Sequence, residues 1–110
     1  MTLDDLKAYG ANVEEGLGRC MNNEGFYLRL VEMAKNEPGF DKLEQAVAAG
    51  DLRAGFEAAH ALKGVLGNLS LTPLFDPVNE ITELLRAETQ MDYTPLVTEI
   101  KQQKEKLCAL

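Results

Sequence analysis

The chain has 110 residues, of which 45% are hydrophobic, and its formal net charge at pH 7 is −7. This is the length of one domain, with enough apolar material for a core. So acidic a surface repels phosphate backbones and anionic lipids, which argues against nucleic-acid and membrane-surface roles. No apolar run approaches the ~20 residues of a membrane span, and the N-terminus lacks a signal-peptide pattern. We therefore expect a cytoplasmic protein.

The cysteines and the histidine limit the metal sites that the chain can form. Cys20 and Cys108 are far apart without CxxC spacing, so free thiols in a reducing compartment are expected rather than a metal site. The single histidine excludes HExxH and multi-histidine metal sites. The initial methionine favours a free-standing protein over a domain excised from a larger protein.

The first part of the chain carries three helix-start signals. Thr2, Asn12 and Asn23 are good N-cap residues that each precede a helical pattern. Asp5 and Glu15 follow the first two caps after three positions, as in a capping box. These signals predict two short helices and one longer helix, at 2–9, 12–21 and 24–36.

The Pro38-Gly39 pair interrupts the pattern, and a helix over about 40–49 follows. Gly50 ends that helix. Asp51 is the expected N-cap of the next one, which extends to about residue 71.

Two Thr-Pro pairs, Thr72-Pro73 and Thr94-Pro95, predict the last two helices, each with threonine as N-cap and proline at the first helical position. Pro77 lies just beyond the first turn of the earlier helix. It either kinks this helix or makes it restart with Asp76 as the cap.

These elements predict an all-α fold. The three long helices and the broken pair at 24–49 make an antiparallel four-helix bundle, preceded by short N-terminal capping helices. We expect one domain over 1–110, in which residues 1–21 form the capping helices and residues 22–110 the bundle.

The helix over 51–71 contains the most informative pattern. Its apolar residues recur at spacings of three and four and form a core stripe: Leu52, Phe56, Ala59, Leu62, Leu66 and Leu69. At about 100° per residue, His60 points roughly 110° away from the centre of the stripe. His60 is therefore expected to face solvent or the edge of the bundle.

His60 shares its face of the helix with Gly64 and Gly67. Glycine inside a helix costs about 1 kcal/mol relative to alanine, so two on one exposed face suggest a surface kept bare for a bulky partner. Lys63, one turn away, can reach a group attached to the imidazole. The alternatives are a surface histidine without a role and an ordinary solvated lysine.

The segment from His60 to Leu69, His-Ala-Leu-Lys-Gly-Val-Leu-Gly-Asn-Leu, resembles the signature of histidine-containing phosphotransfer (HPt) domains, His-x-Leu/Ile-Lys-Gly followed by small residues and an apolar position. The resemblance implies a helical bundle with an exposed phosphoaccepting histidine. His60 would accept a phosphoryl group from a receiver-domain phosphoaspartate and pass it to another receiver aspartate, with Lys63 stabilising the phosphate.

The resemblance also implies partners and a docking face. The partners are response-regulator receiver domains and a histidine or hybrid kinase, and we expect a monomer so that the relay face stays free. The chain needs no cofactor of its own, because the receiver's acidic pocket supplies Mg²⁺. The expected docking face consists of Arg53, Glu57, Gly64, Gly67 and Asn68.

Two positions depart from the family pattern. Family members often have glutamine or glutamate 22 positions after the histidine, where it bonds to Nδ1 of the imidazole. This chain has Thr82 there, a possible Nδ1 partner for which Glu83 or a water can substitute. Ser70 occupies a position where many relatives have glycine.

Two other classes of function compete with the relay. The first is a helical interaction module that binds a signalling partner through the same face without phosphorylation. The second is an enzyme, but the chain has no room for a kinase ATP-binding domain. A Glu57–His60 dyad also lacks a serine or cysteine nucleophile at a recognisable spacing.

Overall fold

Seven helices and no strand make up the chain in a computed structural model that describes residues 1–110. In order they are α1 (Leu3–Tyr9), α2 (Val13–Arg19), α3 (Glu24–Lys35), α4 (Gly39–Ala48), α5 (Leu52–Asn68), α6 (Thr72–Arg86) and α7 (Thr94–Cys108). The predicted all-α class is confirmed, and the helices lie close to their predicted ranges. No helix is both long enough and apolar enough to cross a membrane.

Local capping chemistry sets the start of four helices. In each, the predicted cap side chain accepts a hydrogen bond from the backbone N–H three residues later: Thr2, Asn12, Asn23 and Asp51. These bonds satisfy N–H groups that have no partner within the helix. Only α1 has the complete capping box, because the Asp5 carboxylate accepts from the Thr2 N–H at 2.9 Å. In α2 the Asn12 side chain instead donates to Glu15 Oε2 at 3.4 Å.

The predicted caps of the last two helices are wrong by one residue. Thr72 and Thr94 are the first helical residues, and the N-cap positions are Leu71 and Tyr93, neither of which forms a side-chain cap bond. At α7 the Asp92 carboxylate accepts from the Thr94 N–H at 3.0 Å. Asp92 therefore provides the side-chain hydrogen bond at the start of α7 that was expected from the Thr94 hydroxyl.

Pro77 does not divide α6, so the predicted restart at Asp76 is wrong. The helix continues from Thr72 to Arg86 with Pro77 inside it. Pro77 is buried, together with Val78 and Ile81 of the same helix. Burial of this apolar side stabilises the helix across a residue that lacks an N–H donor.

α5 lies between α4 and α6, and α7 packs against α6 and α3. The predicted core stripe of α5 is correct at its centre, where Ala59, Leu62 and Leu66 are each 0% exposed. Leu52 and Phe56, nearer the start, are only partly buried. This packing fixes the rotation of α5, and His60 lies on its exposed side.

α2 packs closely against α3 and the end of α5, and Gly16 makes this approach possible. A Cβ atom at Gly16 would lie 2.6 Å from Tyr27 Cε1 and 2.8 Å from the Leu69 carbonyl oxygen. The Tyr27 hydroxyl donates to the same carbonyl at 2.9 Å. The Asn12 N–H donates to the Ser70 carbonyl at 3.0 Å. The N-terminal helices are thus attached to the turn that follows α5.

Ser70 in this turn adopts a left-handed backbone conformation with φ of 54°. This conformation costs a non-glycine residue about 1 kcal/mol or more. The hydroxyl group offsets that cost through two hydrogen bonds. It accepts from Arg19 Nη1 at 2.6 Å and donates to Glu15 Oε1 at 3.0 Å.

Two substitutions at Ser70 separate backbone strain from hydrogen bonding. Ser70→Ala loses both hydroxyl bonds and keeps the strained backbone, so its unfolding free energy should fall by about 1–2 kcal/mol. Ser70→Gly loses the same bonds but relieves the strain, so it should be about 1 kcal/mol more stable than Ser70→Ala. Urea unfolding of the three proteins measures both differences. An alanine variant as stable as the glycine variant would contradict the strain argument.

Candidate functional site

His60 lies at the middle of α5 with its side chain exposed. The clearest contact of its imidazole is with Phe56, one turn earlier on the same helix. The two ring centres are 5.5 Å apart and the ring planes differ by 18°, which is a stacked arrangement. The predicted exposure of His60 is therefore correct, and the ring also has an aromatic neighbour that the sequence analysis had placed in the core.

A groove of about 580 Å³ extends from His60 to the end of α5. Most of its lining residues are polar or glycine, and Phe75 of α6 is the one hydrophobic lining residue. Five of the predicted site residues line it on the α5 side: His60, Lys63, Gly64, Gly67 and Asn68. The opposite wall includes residues of α2, which the sequence analysis did not assign to the site.

The other two predicted docking residues lie outside this groove. Arg53 and Glu57 are exposed on the earlier turns of α5, where their charged groups approach to 3.7 Å. Glu57 lines a separate surface between α4 and α5. Its carboxylate pairs with Arg53 and forms no hydrogen bond with His60, so the structure does not assemble the Glu57–His60 dyad.

The two glycines of the groove have different surroundings. A Cβ atom at Gly64 would meet nothing within 4 Å, so this position opens directly to solvent. A Cβ atom at Gly67 would lie 3.1 Å from the Phe75 ring. Gly67 therefore has a packing role, the close approach of α5 and α6, that the sequence did not reveal. Of these two glycines, only Gly64 is without a structural reason to be glycine.

The predicted hydrogen bond between His60 and Thr82 is not formed. Thr82 is 0% exposed and its hydroxyl donates to the Val78 carbonyl at 2.6 Å. Thr82 lies on the inward side of α6 beside buried Ile81, whereas His60 is on the exposed side of α5. A short side chain on that face cannot replace the longer glutamine or glutamate of the family pattern.

Glu83, the alternative partner, bonds to two cations instead. Its carboxylate oxygens lie 3.5 Å from Lys63 Nζ and 3.2 Å from Arg86 Nε. The hydrogen bond from Arg86 is the main reason that the pKa of Glu83 is below its usual value, and Lys63 adds to the effect. These exposed pairs contribute little to stability. The Lys63 pair joins α5 to α6, whereas the Arg86 pair lies within α6.

Residues of α2 form the wall opposite Gly67. The Arg19 guanidinium donates to the Gly67 carbonyl at 3.0 Å and to Glu15 Oε1 at 2.7 Å, besides its bond to Ser70. Hydrogen bonds from Arg19 and then Ser70 hold the pKa of Glu15 below its usual value. The i, i+4 spacing of Glu15 and Arg19 in the sequence is compatible with this ion pair.

The remaining reactive side chains form no second cluster. No three His, Cys, Asp or Glu residues come close enough to hold a metal ion. Both cysteines are free thiols, with Cys20 buried and Cys108 exposed.

The geometry defines an all-helical protein with one exposed histidine, a neighbouring lysine and an open glycine at the edge of a polar groove. Residues 31–109, most of the chain, match the family model of the Hpt domain. The chain therefore belongs to the Hpt domain family, as the resemblance indicated. Searches of curated proteins and of solved structures found no match. An Hpt domain is a phosphotransfer module of phosphorelays, not a kinase with its own ATP-binding domain, and it works with receiver domains and kinases.

The contacts of Glu83 with Arg86 and Lys63 predict how its carboxyl group titrates. Arg86→Gln removes the largest influence on Glu83, so the pKa of Glu83 should rise toward its ordinary value. Because a lowered folded-state pKa stabilises the protein above the unfolded-state pKa, any contribution of Glu83 is lost as pH falls through its folded-state pKa. Carboxyl ¹³C NMR titration measures the shift.

Arg53→Gln is the matched control, because it removes an arginine of α5 that does not contact Glu83. It should leave the Glu83 titration unchanged. An equal rise in both variants would show that net charge, rather than the Arg86 hydrogen bond, sets the pKa.

Proposed function

We propose that His60 accepts a phosphoryl group from the phosphoaspartate of a receiver domain and passes it to the aspartate of another. Family membership supports phosphorelay transfer in general. The observation that supports His60 as the acceptor is the exposed imidazole at the middle of α5, beside an open position at Gly64. It is also the one histidine of the chain.

The proposed step is an in-line displacement at phosphorus. Neutral imidazole is nucleophilic near physiological pH. A bond forms between Nε2 of His60 and phosphorus while the bond to the aspartyl oxygen breaks, and the aspartate carboxylate leaves. The reverse step on a second receiver returns the imidazole. Such transfers depend mainly on positioning and charge stabilisation.

Lys63 is the residue that we propose stabilises the phosphoryl group. It lies one turn from His60, and its side chain is 30% exposed. Its ammonium is 3.5 Å from the Glu83 carboxylate, at the limit of a hydrogen bond. A phosphoryl group on His60 carries more negative charge than one carboxylate. It can therefore draw Lys63 away from Glu83.

Docking would use the groove and the exposed part of α5. Gly64 leaves room for the partner beside the imidazole, and Gly67, Asn68, Arg53 and Glu57 complete the proposed docking face. Mg²⁺ would come with the acidic pocket of the receiver, so we propose no cofactor for this chain. The proposed partners are response-regulator receiver domains and a histidine or hybrid kinase, which the chain would meet as a monomer.

Three further proposals concern the fold, the domain organisation and the location of the protein. The contacts of α5 with α4 and α6, and of α7 with α6 and α3, support an antiparallel four-helix bundle. The attachment of α2 to the end of α5 supports one domain over residues 1–110, with residues 1–21 as capping helices. The free thiols of Cys20 and Cys108 support a reducing compartment such as the cytoplasm.

The decisive experiment exposes the protein to a panel of receiver domains labelled in advance with radioactive acetyl phosphate. Wild type should acquire an acid-labile label, and His60→Gln should acquire none while remaining folded by circular dichroism. Glutamine keeps a polar side chain at an exposed position, so the fold should not change. Unaltered labelling of His60→Gln would refute the proposal. Binding of a receiver without transfer to wild type would favour an unphosphorylated interaction module instead.

A second prediction concerns the open space at Gly64. Gly64→Gln should stabilise α5 by up to about 1 kcal/mol because the helix loses a glycine. It should slow transfer from a receiver about tenfold or more, because the new side chain separates the two reacting groups. Labelling assays quenched at fixed times measure the transfer rate, and thermal unfolding measures the stability.

Gly25→Gln provides the matched control. Gly25 is exposed on α3, where a Cβ atom would meet only Asn23 Oδ1 at 3.7 Å, and it lies outside the groove. This variant should transfer at the wild-type rate. Normal transfer by Gly64→Gln would show that close approach at this position is not needed.

A further inference from the structure

The orientation of the His60 imidazole requires a physical cause. The predicted partner Thr82 bonds to Val78, and Glu83 bonds to Lys63 and Arg86, so neither holds the ring. An exposed histidine without such a partner samples several rotamers. Transfer to a docked receiver nevertheless requires the attacking nitrogen to be in line with phosphorus.

The stack on Phe56 is a contact that restricts this freedom. The ring centres are 5.5 Å apart with nearly parallel planes, which is a favoured offset geometry for aromatic pairs. Rotation about Cα–Cβ, or any rotation about Cβ–Cγ other than a half-turn, would break the parallel contact. Because the two residues are one turn apart on α5, the stack is built into the same helix that presents the histidine.

Phe56 is itself anchored, which a positioning role requires. Its side chain is partly buried and packs against the hydrophobic core. The Arg86 guanidinium lies 4.9 Å from the centre of the Phe56 ring, within cation–π range, and Arg86 is held by Glu83 at 3.2 Å. Contacts from the core and from α6 thus fix the surface on which the imidazole rests.

We propose that Phe56 is a positioning residue for His60. Its ring holds the imidazole plane by stacking, so that this plane is already fixed when a receiver docks. This inference rests on the proposed relay function. It assigns to an aromatic surface one part of the task that a glutamine or glutamate performs in the family pattern, the restriction of the ring plane.

Two substitutions at the same position test the proposal. Phe56→Leu keeps an apolar side chain but removes the ring, and Phe56→Tyr keeps the ring. Transfer from the receiver that labels wild type fastest should slow about three- to tenfold in Phe56→Leu, the range expected for loss of one aromatic pair. Phe56→Tyr should restore the wild-type rate. If Phe56→Leu does not fold by circular dichroism, Phe56→Met replaces it.

Two further measurements distinguish positioning from a general structural effect. The ring current of Phe56 should shift the ¹H resonances of the His60 ring, and the shift should vanish in Phe56→Leu and persist in Phe56→Tyr. Phosphoramidate, a small donor that needs no docked geometry, should label the exposed His60 of both variants at the wild-type rate.

The outcomes separate this inference from the proposed function. Wild-type transfer by Phe56→Leu, equal slowing in both variants, or equal slowing with phosphoramidate would each overturn the role of Phe56 and leave the relay intact. Failure of every receiver to label wild type at His60 would refute the relay, and the inference with it.

Discussion

Burial of one side of α5 is the constraint on which the site depends. Ala59, Leu62 and Leu66 are fully buried between neighbouring helices, and each buried leucine contributes about 1.5–3 kcal/mol. Turning the helix by one residue, about 100°, would expose these side chains. Packing of the leucines therefore also keeps His60 exposed to solvent. The exposure of the histidine is a consequence of packing on the opposite side of its helix.

Most features governed by local chemistry could be predicted from the sequence, although the predicted caps at Thr72 and Thr94 are wrong by one residue. Features governed by tertiary contacts could not be predicted. The caps at Asn12 and Asp51 depend on atoms within three residues. The exposure of His60 follows from helical periodicity alone. The packing role of Gly67 depends on Phe75 of the next helix, and the failure of Thr82 as a partner depends on the rotation of α6. Spacing along the chain contains no information about the contact with Phe75.

The α2 wall of the groove could not be predicted either, because its contacts join residues that are far apart in the sequence. Arg19 bonds to Gly67 and Ser70, which are 48 and 51 residues away in the sequence. α2 also precedes the segment that matches the Hpt family model, residues 31–109. Part of the groove is therefore contributed by a region for which family membership supplies no expectation. Ser70 is the connecting residue, because its strained backbone places a hydroxyl between Arg19 and Glu15.

The charges around His60 suit the proposed relay, in which a phosphoryl group is passed on rather than kept. Lys63 lies one turn from His60 and Arg86 lies over the Phe56 ring, and both already pair with Glu83. A phosphoryl group on His60 would gain the attraction of Lys63 only by weakening an existing pair, so the net stabilisation is smaller than for a free cation. Since these groups are also exposed and screened by solvent, the site would hold phosphate weakly. A relay intermediate needs that balance, because tight binding in one step would slow the next.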